Sequence, residues 1–127
     1  MKRNYNEDYY PPAPFLQVRF GVADSGLYTD ALLGMVDTGA DATIVPLEYL
    51  DQIEASVEGF SNIRSHWGES TQVNLYAVDV IIEGITLPGI LVVGDEIGQE
   101  VVIGRNVLNC VRLLLDGLKR QSQIVGY

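Results

Sequence analysis

The stretch Met35-Val36-Asp37-Thr38-Gly39-Ala40-Asp41 limits the folds open to this chain more than any other. Apolar residues run straight into an acid, a hydroxyl and a glycine, and a second apolar run, Thr43-Ile44-Val45, follows at once. A carboxylate set between two apolar segments is costly to bury unless its ionisation is used or its charge compensated. Thr38 supplies a hydroxyl that can hydrogen-bond beneath the loop. Gly39, lacking a Cβ, lets the backbone turn tightly and another molecule come close. The pattern reads as strand, rigid loop, strand, with Asp37 presented by the loop.

The surrounding sequence is mostly β in character. Residues 15–20 and 28–33 read as strands, and Asp24-Ser25-Gly26 between them is hairpin-turn chemistry. Residues 75–82 form a longer strand rich in Val, Ile and Tyr. Gly84 marks a turn, Ile85-Thr86-Leu87 resumes, and residues 90–93 make a short buried strand after Pro88-Gly89. Asp116-Gly117 is a turn between the apolar runs 111–115 and 123–125. Helix is scarce: residues 46–53 fit a short helix with Pro46 in its first turn. Residues 106–110 fit a second, with Asn106 a candidate cap. Many short strands with glycine-rich turns indicate a closed or nearly closed β-barrel.

Far downstream stands Val101-Val102-Ile103-Gly104-Arg105-Asn106-Val107-Leu108, an apolar strand running into Ile-Gly-Arg and a short helix. Asp37-Thr38-Gly39-Ala40 between apolar strands, paired with Ile103-Gly104-Arg105 at this separation, resembles the aspartic peptidases. The likeness is to the retropepsin-like kind, found in retroviruses and as free-standing cellular proteins, and it covers the chain from Phe15 onward. The resemblance implies an all-β acid-protease fold, a closed β-barrel with a flap hairpin and one or two short helices. It further implies that Asp37 is the catalytic acid/base, activating a water that attacks a peptide carbonyl without a covalent intermediate. That chemistry needs two carboxyls facing each other, and like charges so close cannot both ionise, so the pair shares a proton.

At 127 residues the chain is one domain and carries one such loop. Asp24-Ser25-Gly26 lies too close in sequence to Asp37 to head a second lobe, so the partner carboxyl is expected from another copy. The expectation is a C2 homodimer with Asp37 and its symmetry mate at the dyad. Under the resemblance Thr38 locks the two loops together, and Gly39 hydrogen-bonds to a substrate lying as an extended strand. Asp41 contacts substrate backbone and forms a partly buried ion pair with Arg105, which positions the loop more than it stabilises it. Ala40, Ala42 and Val102 line pocket walls. The flap falls in residues 61–72, where Gly68 marks the turn and His66, Trp67 and Glu69 replace the small residues usual at such a tip. Trp67 either covers substrate as an apolar lid or packs on the barrel surface.

Other chemistries find little support. One His (His66) and one Cys (Cys110) are too few for a zinc site within one chain, and no metal or cofactor is expected. Cys110 stands in an apolar run and reads as a small buried hydrophobe rather than a nucleophile. No glycine-rich loop with the Lys of a phosphate site is present. A single cysteine excludes an internal disulfide, the first ten residues lack the apolar core of a signal peptide, and no apolar run reaches membrane length. The expected location is cytoplasmic. A net charge of −9 argues against nucleic acid as a partner.

Residues 1–14 hold three tyrosines and end in Pro11-Pro12-Ala13-Pro14, so they read as an extended Pro/Tyr-rich arm before a peptidase-like domain over 15–127. The arm is open to three readings: a strand of the dimer sheet, a disordered tail, or a propeptide. Two function classes follow: a homodimeric aspartic endopeptidase acting on extended peptide, or a non-catalytic relative used for peptide binding or assembly. The intact Asp37 loop favours the enzyme.

Overall fold

Along Ser70–Ile82 the side chains alternate between buried and half-buried from Tyr76 onward, the period of a strand with one face on a core. Phe15–Val22 does the same, with Leu16, Val18 and Phe20 inside and Arg19 outside. The computed structural model describes residues 1–64 and 68–127. In chain order the strands are β1 (Lys2–Asn4), β2 (Phe15–Val22), β3 (Leu27–Tyr28), β4 (Leu32–Val36) and β5 (Ile44–Pro46), followed by helix α1 (Leu47–Gln52). Then come β6 (Val57–Arg64), β7 (Ser70–Ile82), β8 (Ile85–Asp95), β9 (Val101–Ile103), helix α2 (Arg105–Leu108), β10 (Arg112–Asp116) and β11 (Gln121–Gly126).

Six of these strands close a barrel in the order β2-β4-β9-β5-β8-β7, with β7 returning to β2. Two of its pairings are parallel, β4 on β9 and β5 on β8, and both flank the Asp37 loop. Inside sit Leu16, Val18, Phe20, Val78, Val80, Ile82, Val92 and Ile103, capped by Leu50, Ile53 and Val107 from the helices and their ends. A separate three-stranded sheet, β1-β11-β10, stands outside the barrel. Among the described residues no helix is long and apolar enough to cross a membrane.

Four details differ from the sequence reading. Residues 28–33 do not make one strand, because Thr29 turns inward: its N–H donates to Phe20 O and its Oγ1 accepts from Phe20 N. Strand β8 runs straight through Pro88-Gly89. Opposite them β7 shifts register around Asp79, and the Asp79 carboxylate accepts from Gly89 N at 3.1 Å, where Gly89 has a φ of +65°. A proline is tolerated in a strand at such an irregularity. Residues 1–14 are not simply an extended arm. Lys2–Asn4 pairs with Gln121–Gln123 of the same chain, and Asn6 and Ala13 exchange backbone hydrogen bonds so that the segment folds back on itself. Cys110 is exposed rather than buried, since α2 ends at Leu108 and turns its apolar side, Val107 and Leu108, to the core.

Arg3 fastens β1 to the barrel. Its Nε donates to Glu83 Oε1 at 2.9 Å and its Nη2 to Glu83 Oε2 at 3.1 Å, while Gln17 N donates to the same carboxylate. Burial pushes the Glu83 carboxyl up, but the Arg3 and Gln17 hydrogen bonds and the nearby positive charges outweigh it and hold it below the ordinary range. The Glu83 hydrogen bond in turn raises the Arg3 guanidinium.

Candidate active site

Strand β4 ends at Val36, and the next residue is held by the strand beside it: Asp37 N donates to Ile103 O at 3.0 Å. Asp37 is half-buried, and its Oδ1 accepts from Gly39 N at 2.9 Å, which folds the carboxylate over a tight loop. Ala40 N donates to Asp37 O, closing that turn. Thr38 and Gly39 are exposed at its tip.

The loop is then tied to the segment 103–106. Arg105 N donates to Ala40 O at 2.8 Å, and its guanidinium forks, Nη1 to Thr38 O at 2.8 Å and Nη2 to the Asp41 carboxylate. The fixed planar fork suits Arg to gripping two points of one loop. Asp41 and Arg105 are thus paired, but the pair is open to water rather than partly buried, with the Asp41 side chain 89 % exposed. An exposed pair contributes little to stability, so its role here is placement.

Two residues that sequence reasoning did not assign to the site hold it from below. Thr43 is buried, and its Oγ1 accepts from Gly104 N at 3.1 Å while donating to Asn106 Oδ1 at 2.8 Å. Asn106 Oδ1 also accepts from Thr43 N at 3.0 Å, and its Nδ2 donates to Leu91 O on β8. Asn106 therefore does not cap α2, which has no side-chain cap. A buried hydroxyl following an acid loop, with an Asn just after Ile-Gly-Arg, was the available signal. Gly104 is required by space: a Cβ there would stand 2.3 Å from Ala42 O and 3.0 Å from Ala40 O.

Beyond the loop opens a cavity of about 490 Å³. Gly39, Ala40, Asp41 and Ala42 form one wall with Ile44; Leu75, Leu91 and Val93 form the floor, and residues 61–64 of β6 the opposite wall. Val102 does not line it; it lies half-buried between Met35 and Ile44 in the barrel wall. Strands β6 and β7 pair antiparallel beside the loop, where a hairpin is expected, with Gly68 and Glu69 exposed just ahead of β7 and Gly68 at a φ of +83°. His66 and Trp67 lie outside the described residues. A larger cleft, about 630 Å³, lies beside residues 3–8, but it shares no residue with the Asp37 loop and is lined by mixed charges. Among the described residues no group of three or more His, Cys, Asp or Glu side chains is placed to hold a metal ion. No protein-family model matches the chain, and neither does any curated protein.

Proposed function

We propose that the chain is a retropepsin-like aspartic endopeptidase with the acid-protease fold, working as a homodimer in which two Asp37 carboxyls, one per copy, activate a water. The observation that carries the reading is the Asp37 loop itself. Its carboxylate is turned over the loop by Gly39 N, its backbone is gripped by Arg105 and underpinned by Thr43 and Asn106, and it borders an apolar cavity walled by a hairpin. A loop held from so many directions suits a group whose geometry must be kept while bonds change. A binding surface has no comparable need for a fixed half-buried acid.

In this reading the two facing carboxyls share one proton. The ionised one takes a proton from the water as it attacks the peptide carbonyl, and the protonated one donates to the carbonyl oxygen; a proton then passes to the leaving nitrogen as the C–N bond breaks. Thr38 joins the two loops across the dyad. Gly39, exposed at the tip, offers backbone to an extended substrate whose apolar side chain fills the 490 Å³ cavity. The free edge of β10, with Leu114 and Leu115 exposed, supports association of two copies, since such an edge is a template for further pairing. A cytoplasmic setting agrees with the lone cysteine.

The test is digestion of a diverse peptide mixture between pH 4 and 7, wild type beside Asp37→Asn. Internal cuts that fall by on the order of 10³-fold in the variant are expected, the scale of a lost acid/base. Absence of cutting by wild type at concentrations where it is dimeric would overturn the reading and favour a non-catalytic peptide-binding or assembly module.

A further inference from the structure

Among the described residues, the charged side chains that border the cavity beside the Asp37 loop are Asp41 and Arg64. Asp41 is already answered by Arg105. Arg64, at the end of β6, has no ion-pair partner among the described residues. The other described residues of the lining are apolar or neutral, with Ser61 and Asn62 the polar ones. This sign runs against the molecule as a whole, whose net charge of −9 repels acidic ligands at long range. A cation at the rim of an apolar cavity in an acidic protein gives a carboxylate a local reason to settle there.

We infer that Arg64 reads an acidic side chain of the bound peptide, Asp or Glu, next to the apolar side chain that enters the cavity. The inference rests on the peptidase reading and adds a substrate class to it: extended segments in which an apolar residue stands beside an acid. Arg suits the task because its planar fork meets a carboxylate with two hydrogen bonds. Arg64 is exposed, so the preference is modest and weakens with salt.

The experiment uses peptides identical except at the positions flanking the apolar residue, where Glu, Gln or Lys is placed in turn. Cleavage by wild type, Arg64→Gln and Arg64→Glu is measured at low salt, and binding is measured with hydroxyethylene analogues of the same peptides. Wild type is expected to favour Glu over Lys by on the order of fivefold in kcat/KM at one position, the scale of an exposed ion pair. Arg64→Gln levels that preference, Arg64→Glu reverses it, and the analogues bind in the same order. Equal cutting of all peptides by wild type overturns the inference and leaves the peptidase reading intact. So does an equal loss on every peptide in Arg64→Glu, which would make Arg64 a support of the hairpin. If no peptide is cut and no analogue binds, the peptidase reading falls and the inference falls with it.

Discussion

The two walls of the 490 Å³ cavity are built on opposite principles. The loop wall, residues 37–42 with Thr43 behind it, is hydrogen-bonded to Ile103, Gly104, Arg105 and Asn106, and through Thr43 O to Val93 of β8. The hairpin wall, residues 61–64, is bonded along one edge to β7, and every one of these residues is exposed. One wall is fixed by ties to two separate stretches of chain, residues 103–106 and β8; among the described residues the other is paired with a single strand. In the proposed peptidase, keeping an acid in register while admitting an extended peptide calls for both kinds. The difference teaches that placement here comes from polar cross-ties rather than burial, since the loop tip itself is as open to water as the hairpin.

Breaking the loop wall is expected to have the largest effect. In Gly104→Ala the new Cβ would meet Ala42 O at 2.3 Å, so the backbone of the loop must move. A loss of about 1–3 kcal/mol in denaturant unfolding is expected, the usual cost of overpacking, and peptide cutting should fall with it. An unchanged midpoint would mean that the loop is not tightly seated. Asn106→Ala leaves Thr43 N, Thr43 Oγ1 and Leu91 O without their partner, which costs about 1–3 kcal/mol where groups are buried. Amide exchange at Thr43 should speed up in this variant while exchange in β6 stays as it was.

A third region sharpens the comparison, because Arg3 and Glu83 also act as a tie. The folded Glu83 carboxyl lies below its ordinary value, so its contribution is complete above the unfolded range, about pH 4.3. It is lost as pH falls through the lower folded value. Strand β1 should therefore release first on acidification, read by amide exchange at residues 2–4, and Glu83→Gln should flatten that pH dependence. The smallest effect is expected on the hairpin. Phe60 is 67 % exposed, and Phe60→Ser should leave unfolding within about 0.5 kcal/mol of wild type. A larger loss would show that the hairpin wall is tied after all.

Much of this was legible in the sequence. Turn chemistry placed Asp24-Ser25-Gly26 and Asp116-Gly117 between strands, and runs of apolar and β-branched residues found β2 and the later part of β7, because both signals depend on near neighbours. The juxtaposition of Asp41 with Arg105 came through the resemblance, not through spacing. What stayed hidden depended on partners far along the chain. Asn106 read as a helix cap because its bonds to Thr43 and Leu91 are invisible locally. Cys110 read as buried because an apolar run does not reveal where a four-residue helix will stop. Residues 1–14 read as an arm because proline density says nothing of a pairing with Gln121–Gln123.

That pairing has a consequence for how the protein comes into being. Lys2 meets Gln123, and Gly34 meets Val101, so a growing chain holds Asp37 long before it holds what seats it. The hairpins β6–β7 and β7–β8 join near neighbours and can form during synthesis. The loop must wait for Ile103, Arg105 and Asn106 to leave the ribosome. Until residues 103–106 have been made, a nascent chain carries the acid without the contacts that seat its loop.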